Sequence, residues 1–307
     1  MGTWTGRKVA VLYGGRSAER EVSLKTGAAC AEALRAKGYD AALLDVDLEV
    51  AARLRQMGAA VAFNALHGRY GEDGAVQGLL ESMGIPYTGS GVLASALGMD
   101  KPMSKLLFRE AGLALVDYRV FPRQRAAVLA PADLPFGLPA VVKPAAEGSS
   151  VGVHVVREPG ALAAAIADAA RYPGPVVVER YLKGTEVSVA VLDGAALGAI
   201  EIVPSREFYD YVAKYTPGTT QYLFPARLPP DVADRVCRAA EAAHLALGCA
   251  GATRVDFIVA DGTPFILEVN TLPGMTATSL VPKIAAGKGI SFPDLCERIL
   301  EGASLKA

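Results

Sequence analysis

Arg254, Asp256, Glu268 and Asn270 sit on or beside two β-rich runs, Thr253–Val259 and Pro264–Val269, joined by Ala260-Asp261-Gly262. A three-residue hairpin loop puts its last residue in left-handed backbone, which Gly262 adopts at least cost. That register pairs Val259 with Thr263 and Arg254 with Glu268. Val255, Phe257, Val259, Phe265, Leu267 and Val269 then share an apolar face, and the four polar residues share the other. A two-residue loop would slip the register by one and divide the acids between the faces. Two carboxylates and an amide oxygen are hard ligands suited to Mg²⁺, which completes its shell with waters and phosphate oxygens. An adjacent guanidinium suits a phosphate or a developing oxyanion. Taken alone, the same residues also fit an exposed sheet face carrying an ion-pair patch.

A second group with possible chemistry is Lys143-Pro144 followed by Glu147-Gly148-Ser149-Ser150-Val151-Gly152. Small residues let backbone N–H groups approach an anion closely, although a plain flexible turn has the same composition. No G-K-[ST] follows, so this is not a Walker A loop. Gly14-Gly15 with Gly27 does not make a dinucleotide fingerprint, which disfavours a nicotinamide-dependent dehydrogenase. Lys143 and Lys101 are surface lysines on their own and phosphate ligands only beside a nucleotide site.

The elements that must position these groups follow from periodicity. Lys8–Tyr13, Ala41–Val46 and Val61–Leu66 read as strands. Ser23 caps a helix to Lys37, stopped by Gly38. Val76, Leu79, Leu80 and Met83 form one face of a helix within Glu72–Met83. Strands alternating with helices imply βαβ units and a parallel sheet. Gly89–Gly91 reads as a linker. Asp100 caps a helix with Pro102 in its first turn, ending at Gly112. Strands are expected at Ala140–Lys143, Val151–Val156, Val176–Tyr181 and Glu186–Leu192, and helices at Leu162–Ala170, Val232–Leu247 and Phe292–Leu300. Ser205–Gln221 has no period and reads as a long loop, a common form for a lid.

The chain has 307 residues, 51% of them hydrophobic, with a formal charge of −1. That suits a soluble globular protein of two or three domains and offers no basic field for nucleic acid. No apolar run approaches the roughly 18–20 residues that span a membrane, and the first thirty residues do not resemble a signal peptide. Cys30, Cys237, Cys249 and Cys296 lack C-x-x-C spacing and are expected to be reduced thiols of a cytoplasmic protein.

Over essentially its whole length the sequence resembles the D-alanine–D-alanine ligases of the ATP-grasp superfamily. The resemblance rests on Gly14-Gly15 with Ser17–Ser23, Ala65-Leu66-His67-Gly68 with Gly71-Glu72-Asp73-Gly74, and Tyr87–Gly91. It continues through Met99-Asp100-Lys101, Val142-Lys143-Pro144, Glu147–Gly152, Tyr209-Asp210-Tyr211 with Lys214-Tyr215, Arg254-Val255-Asp256 and Glu268–Thr276. It implies an α/β ATP-grasp fold: an N-terminal Rossmann-like parallel-sheet domain (1–95) and two α+β subdomains (96–182 and 183–307) that sandwich ATP. Asp256, Glu268 and Asn270 fall on the family's ligands for two Mg²⁺ (or Mn²⁺) ions. Lys101 and Lys143 fall on its ATP-phosphate lysines, and Ser149, Ser150 and Lys214 also fall among its ATP-site positions. Glu179, Tyr181 and Leu182 match the hinge that receives adenine, and Glu186 the acid that receives the ribose. Arg180-Tyr181 stands where relatives often carry Lys-Trp.

By the same resemblance Glu19 holds the ammonium of a first D-alanine, though a carboxylate before Ser23 could equally complement a helix dipole. Ser149 and Tyr215 link Glu19 to the lid, and His67 lies near the first substrate's carboxylate. Ser279 and Leu280 hold the second D-alanine, while Arg254 and the Gly274 N–H stabilise the oxyanion. His154 and His244 are expected to be structural. The implied reaction is ATP-dependent ligation of two D-alanines through an acyl phosphate, for peptidoglycan precursors, in a homodimer. The rivals are a ligase taking D-lactate second, which Tyr215 disfavours, and a non-catalytic nucleotide-binding relative.

Overall fold

The computed structural model describes residues 2–126, 129–148, 151–204 and 219–306. Ser149, Ser150, Lys214 and Tyr215 lie outside these residues, as does most of the expected lid, 205–218.

The N-terminal part contains β1 (Lys8–Tyr13), α1 (Arg20–Ala36), β2 (Asp40–Asp45), α2 (Val50–Met57), β3 (Val61–Asn64) and α3 (Ala75–Met83). The strands form a parallel sheet of order β2-β1-β3. Both faces of a parallel sheet are covered, so its central strand reads as an unbroken apolar run. In β1 the alternation divides the side chains between two cores. Val9 and Val11 pack with Leu34 and with Leu295 and Leu300 from the C-terminal end of the chain. Ala10 and Leu12 pack with Leu54, Leu80 and Tyr87 on the opposite face.

Next come α4 (Val92–Met99), α5 (Lys101–Glu110), β4 (Tyr118–Phe121), α6 (Arg123–Ala126), β5 (Ala140–Pro144), β6 (His154–Val156), α7 (Pro159–Ala169) and β7 (Val176–Arg180). The Asp100 side chain accepts from Met103 N–H and caps α5 as expected. These strands form an antiparallel sheet of order β4-β7-β5-β6. Val142 and Val178 on one face meet Leu162 and Ile166 of α7.

The remaining elements are β8 (Thr185–Leu192), β9 (Ala195–Pro204), β10 (Thr220–Leu223), α8 (Pro230–Ala246), β11 (Ala252–Ala260), β12 (Thr263–Asn270), α9 (Leu280–Gly287) and α10 (Phe292–Glu301). Their strands form an antiparallel sheet of order β10-β9-β8-β11-β12. Val187, Val189, Val255, Phe257 and Ile266 cover one face and pack on Val236 and Ala240 of α8.

The β11–β12 hairpin departs from its expected register. Its loop has two residues, Asp261 and Gly262, both at positive φ (48° and 73°), with Ala260 opposite Thr263. This is the turn whose twist matches that of the strands, and Asp-Gly suits it. A β-bulge then restores the slipped register: Phe257 faces Ile266 and Asp256 faces Glu268, so Leu267 is the additional residue. Arg254 consequently stands opposite Asn270, not Glu268. Ile266 is the wholly buried residue of β12, whereas Phe265 and Leu267 are only partly buried.

Other boundaries also moved. Helix α1 begins at Arg20, not Ser23, because Ser23 is buried inside it and donates to Ala65 O at 2.8 Å. Strand β3 stops at Asn64, and α3 starts at Ala75 rather than Glu72 because 68–74 forms a tight loop. Within Val151–Val156 only His154–Val156 is strand. The long-loop reading ends too late, since Thr220 already pairs with Pro204. Strands β4, β9 and β10 and helices α2, α4, α6 and α9 were not foreseen.

At Gly262, replacement by alanine is expected to lower stability by about 1 kcal/mol, the cost of a β-carbon in left-handed backbone. Urea unfolding midpoints would read this, with the slope unchanged.

Candidate active site

A cleft opens where the three sheets converge. The N-terminal part contributes Glu19, His67 and Glu72, α5 contributes Lys101, and the loop after β5 contributes Glu147 and Gly148. The five-stranded sheet supplies Glu186, Ser188, Arg254, Asp256, Glu268 and Asn270, and the segment after β12 supplies Gly274, Ser279 and Leu280.

The strand register explains the sheet's contribution. Asp256 faces Ser188 on β8 and Glu268 on β12. The Ser188 hydroxyl donates to Asp256 Oδ1 at 2.5 Å. Arg254, two residues along the same strand, donates to the same carboxylate from Nε at 2.9 Å and Nη2 at 2.8 Å. Lys101 Nζ donates to Glu147 O at 2.7 Å and lies 3.4 Å from Glu268 Oε2. Asn270 Oδ1 accepts from Leu272 N–H at 3.0 Å, fixing the turn that leaves the sheet.

Among the described residues lining the cleft, six carboxylates stand against Lys101 and Arg254. An acid excess in a partly enclosed space calls for cations. Asp256 and Glu268 are adjacent hard oxygen donors with Asn270 beside them, so the donor set fits Mg²⁺ or Mn²⁺. Among the described residues no three His, Cys, Asp or Glu side chains form a ready-made metal cluster. Asp256 is turned onto Arg254 and Ser188.

Glu19 precedes α1 and approaches two glycines. A β-carbon on Gly68, at φ 68°, would lie 2.7 Å from Glu19 Oε2, and one on Gly148 would lie 3.7 Å away. The Ser17 hydroxyl donates to His67 O at 2.6 Å and accepts from Glu19 N–H at 3.1 Å, tying the two segments together. Burial, reinforced by the Arg254 charge, brings His67 down to about 4, so its ring is neutral at pH 7. Its Nε2 lies 3.1 Å from Thr26 Oγ1. Burial and the neighbouring Glu19 charge push Glu72 up to about 8, against the hydrogen bond it accepts from Gly68 N–H. Glu72 is therefore largely protonated at neutral pH.

Ser279 is the N-cap residue of α9, and its hydroxyl accepts from Thr276 N–H at 3.0 Å. A β-carbon on Gly274 would lie 2.8 Å from Ser279 Oγ and 3.9 Å from His67 Cε1. Gly274 thus lets its backbone pass between the two.

Lys143 and Glu179 do not line the cleft. They share the face of the four-stranded sheet opposite α7, diagonally across β5 and β7. Lys143 Nζ is 2.9 Å from Glu179 Oε2, and Lys105 Nζ is 2.7 Å from Oε1. Burial pushes the Glu179 carboxyl up, but the two ammonium groups outweigh it and hold it at about 2. Tyr181 stacks under Arg157, 5.0 Å from its ring centre, and its N–H donates to Pro139 O.

Sequence reasoning gave no role to Lys105, Ser188, Glu72 or Tyr222. Two of them carried a usable signal. Lys105 is at i+4 from Lys101, and Ser188 at i+2 from Glu186, so each shares a face with an assigned residue. His154 pairs with Asp168 on the surface at 2.7 Å, and buried His244 bonds Thr253 at 2.8 Å, away from the cleft. The four cysteines are free thiols.

This fold is that of the ATP-grasp superfamily. The family model described as "D-ala D-ala ligase C-terminus" matches residues 107–301, and "D-ala D-ala ligase N-terminus" matches 44–90. The chain is 73% identical to D-alanine–D-alanine ligase of Anaeromyxobacter sp. (strain K), over the full length of both. It is 58% identical to that of Geotalea uraniireducens, over 98% of this chain and 96% of the relative. The crystal structure of D-alanine–D-alanine ligase from Bacillus anthracis complexed with ATP superimposes with a TM-score of 0.84, at 38% identity and 96% coverage of each chain. The chain belongs to the D-alanine–D-alanine ligase family.

The depressed Glu179 carboxyl stabilises the fold above its ordinary value of 4.5, and that contribution is lost as the pH falls toward about 2. Glu179→Gln is expected to cost about 3–5 kcal/mol at pH 7, because it leaves two buried ammonium groups without their anion. Its stability should also be flatter than that of the wild type between these two pH values, as read by acid unfolding followed by circular dichroism.

Proposed function

We propose that this chain uses ATP to join two D-alanines into D-alanyl-D-alanine through an acyl phosphate, supplying peptidoglycan precursors. The observation that carries the reading is one cleft collecting Glu19 and His67, the Arg254–Asp256–Glu268–Asn270 group, and Gly274 with Ser279. These are an ammonium acceptor, a hard-cation set beside a guanidinium, and a helix N-terminus with a hydroxyl.

Asp256, Glu268 and Asn270 are the residues to hold two Mg²⁺ or Mn²⁺ ions, which when bound supply positive charge to the transferring phosphoryl group. Lys101, held by Glu147 O and Glu268, and Lys143 present ammonium groups to the phosphates. Ser149, Ser150 and Lys214 join them on the strength of the resemblance, with Glu179, Tyr181 and Leu182 at adenine and Glu186 at ribose. Glu19 accepts the ammonium of the first D-alanine. Neutral His67 lets that substrate's carboxylate remain the reacting anion without being held in an ion pair. Arg254 and the Gly274 N–H stabilise the tetrahedral oxyanion when the second amine attacks, a contribution of about 3–4 kcal/mol for a well-placed donor. Ser279 and Leu280, at the start of α9, take the second carboxylate, where N–H groups and the helix dipole favour an anion. On the strength of the resemblance, Ser149 and Tyr215 would link Glu19 to a lid within 205–219 that keeps water from the acyl phosphate. Three units, 1–95, 96–182 and 183–307, divide these tasks, and a cytoplasmic homodimer is the form that goes with the reading. No helix among the described residues is long and apolar enough to cross a membrane.

The test is phosphate release from Mg–ATP with D-alanine, L-alanine or D-lactate, the product identified by mass. D-alanine-dependent release giving the dipeptide is expected, and its absence would overturn the reading. A depsipeptide formed from D-lactate at neutral pH would replace the second substrate instead. Glu268→Gln should lose on the order of 10²–10³ in kcat if it holds the cation that stabilises transferring charge, and full activity in that variant would remove the metal assignment.

A further inference from the structure

Lys105 is the one residue of the Lys105–Glu179–Lys143 cluster that neither the sequence nor the proposed reaction requires. It lies on α5 one turn after Lys101 and is completely shielded from solvent (0% exposed). Its ammonium lies 2.7 Å from Glu179 Oε1 and 5.2 Å from the centre of the Tyr118 ring. The other oxygen, Oε2, is 2.9 Å from Lys143. A Lys143–Glu179 pair would be neutral and complete without it. Burying a second ammonium is costly, so its presence calls for a consequence that a neutral pair cannot provide.

That consequence is charge. One carboxylate between two ammonium groups carries a net +1, and Glu179 stays ionised at neutral pH. Lys105 and Glu179 are shut away from solvent, and Lys143 is the member nearest the Glu147–Gly152 loop in sequence. Burial, followed by repulsion from Lys143 and Lys101, lowers the Lys105 pKa against the pull of Glu179. We propose that Lys105 is a positioning residue for the nucleotide: by occupying one oxygen of Glu179 it keeps Lys143 from being neutralised and gives the cluster the single positive charge that attracts a triphosphate. This rests on the ATP reading of the cleft and adds to it a buried residue that never touches the ligand.

The experiment is a double-mutant cycle on the full chain. It uses Lys105→Met, Glu179→Gln and the double variant, with Mg–ATP binding measured by calorimetry and the KM values and kcat by phosphate release. With Glu179 present, Lys105→Met removes the surplus charge and should weaken Mg–ATP about tenfold, the size of a screened unit charge acting across the site. It should raise KM for ATP in parallel and leave KM for D-alanine within about threefold, a change of under 1 kcal/mol. With Gln at 179 the cluster goes from +2 to +1, so the same unit charge is removed and Lys105→Met should weaken Mg–ATP by a similar factor. Because the comparison is made within each background, any direct contact of residue 179 with adenine cancels. Lys105→Arg, which keeps the charge, should bind like the wild type. If the Met variant does not fold, Lys105→Gln retains a hydrogen-bonding group without charge and takes its place in the cycle. No loss with Glu179 present, or an equal loss in Lys105→Arg, would overturn the proposal. A wild-type protein that fails to bind Mg–ATP at all would instead overturn the function it rests on.

Discussion

Leu267 is one residue more than β12 needs to run from the Asp261-Gly262 turn to its place opposite Asp256, and the geometry of the cleft depends on that surplus. Without the bulge a two-residue turn would pair Asp256 with Ile266's neighbour Leu267 and send Glu268 to the apolar face. An ionised carboxylate would then be pressed against Phe257 and the α8 packing, at a cost of several kcal/mol. With the bulge, Val255, Phe257, Ile266 and Val269 remain in the core while Arg254, Asp256, Glu268 and Asn270 remain over the cleft. Core packing and the polar group are thus satisfied by the same local irregularity. Bulges are common beside active sites for this reason.

Around that hairpin, charge is distributed unevenly and to purpose. The cleft gathers an excess of carboxylates, of which Glu72 sheds its charge by keeping its proton. Asp256 is held by Ser188 and Arg254, and Glu268 by Lys101. On the face of the four-stranded sheet opposite α7 the balance reverses, with two ammonium groups sharing one carboxylate. Helix α5 supplies a lysine to each region, because residues at i and i+4 project from one face.

Much of this was legible along the chain. The Asp100 cap of α5, the apolar run of β1 and the amphipathic α8 and α10 are local patterns, and the structure reproduces them within a few residues. Helices α2, α4, α6 and α9 were missed. Helix α4 begins directly after glycines that read as a linker, and α9 follows a Pro/Gly turn. Helix α1 was started too late because Ser23, a good cap by type, is instead buried and bonded to Ala65. Its partner is 42 residues away, and no local rule contains it.

Part of the cleft's polar face was set by the sequence: the alternation of β11 places Arg254 and Asp256 on one face, while the place of Glu268 depended on the turn and the bulge. The spacing of Glu19, His67 and Ser279 along the chain could be read only through a family resemblance, since segments so distant share a site only after three sheets have packed. The turn type, the bulge at Leu267 and the burial of Lys105 against Glu179 were decided by tertiary structure alone. Each is a compromise between a local preference and the requirement that apolar faces be covered and buried charges be paired. That requirement acts across elements far apart in the chain, and it took effect only when the folded core closed around them.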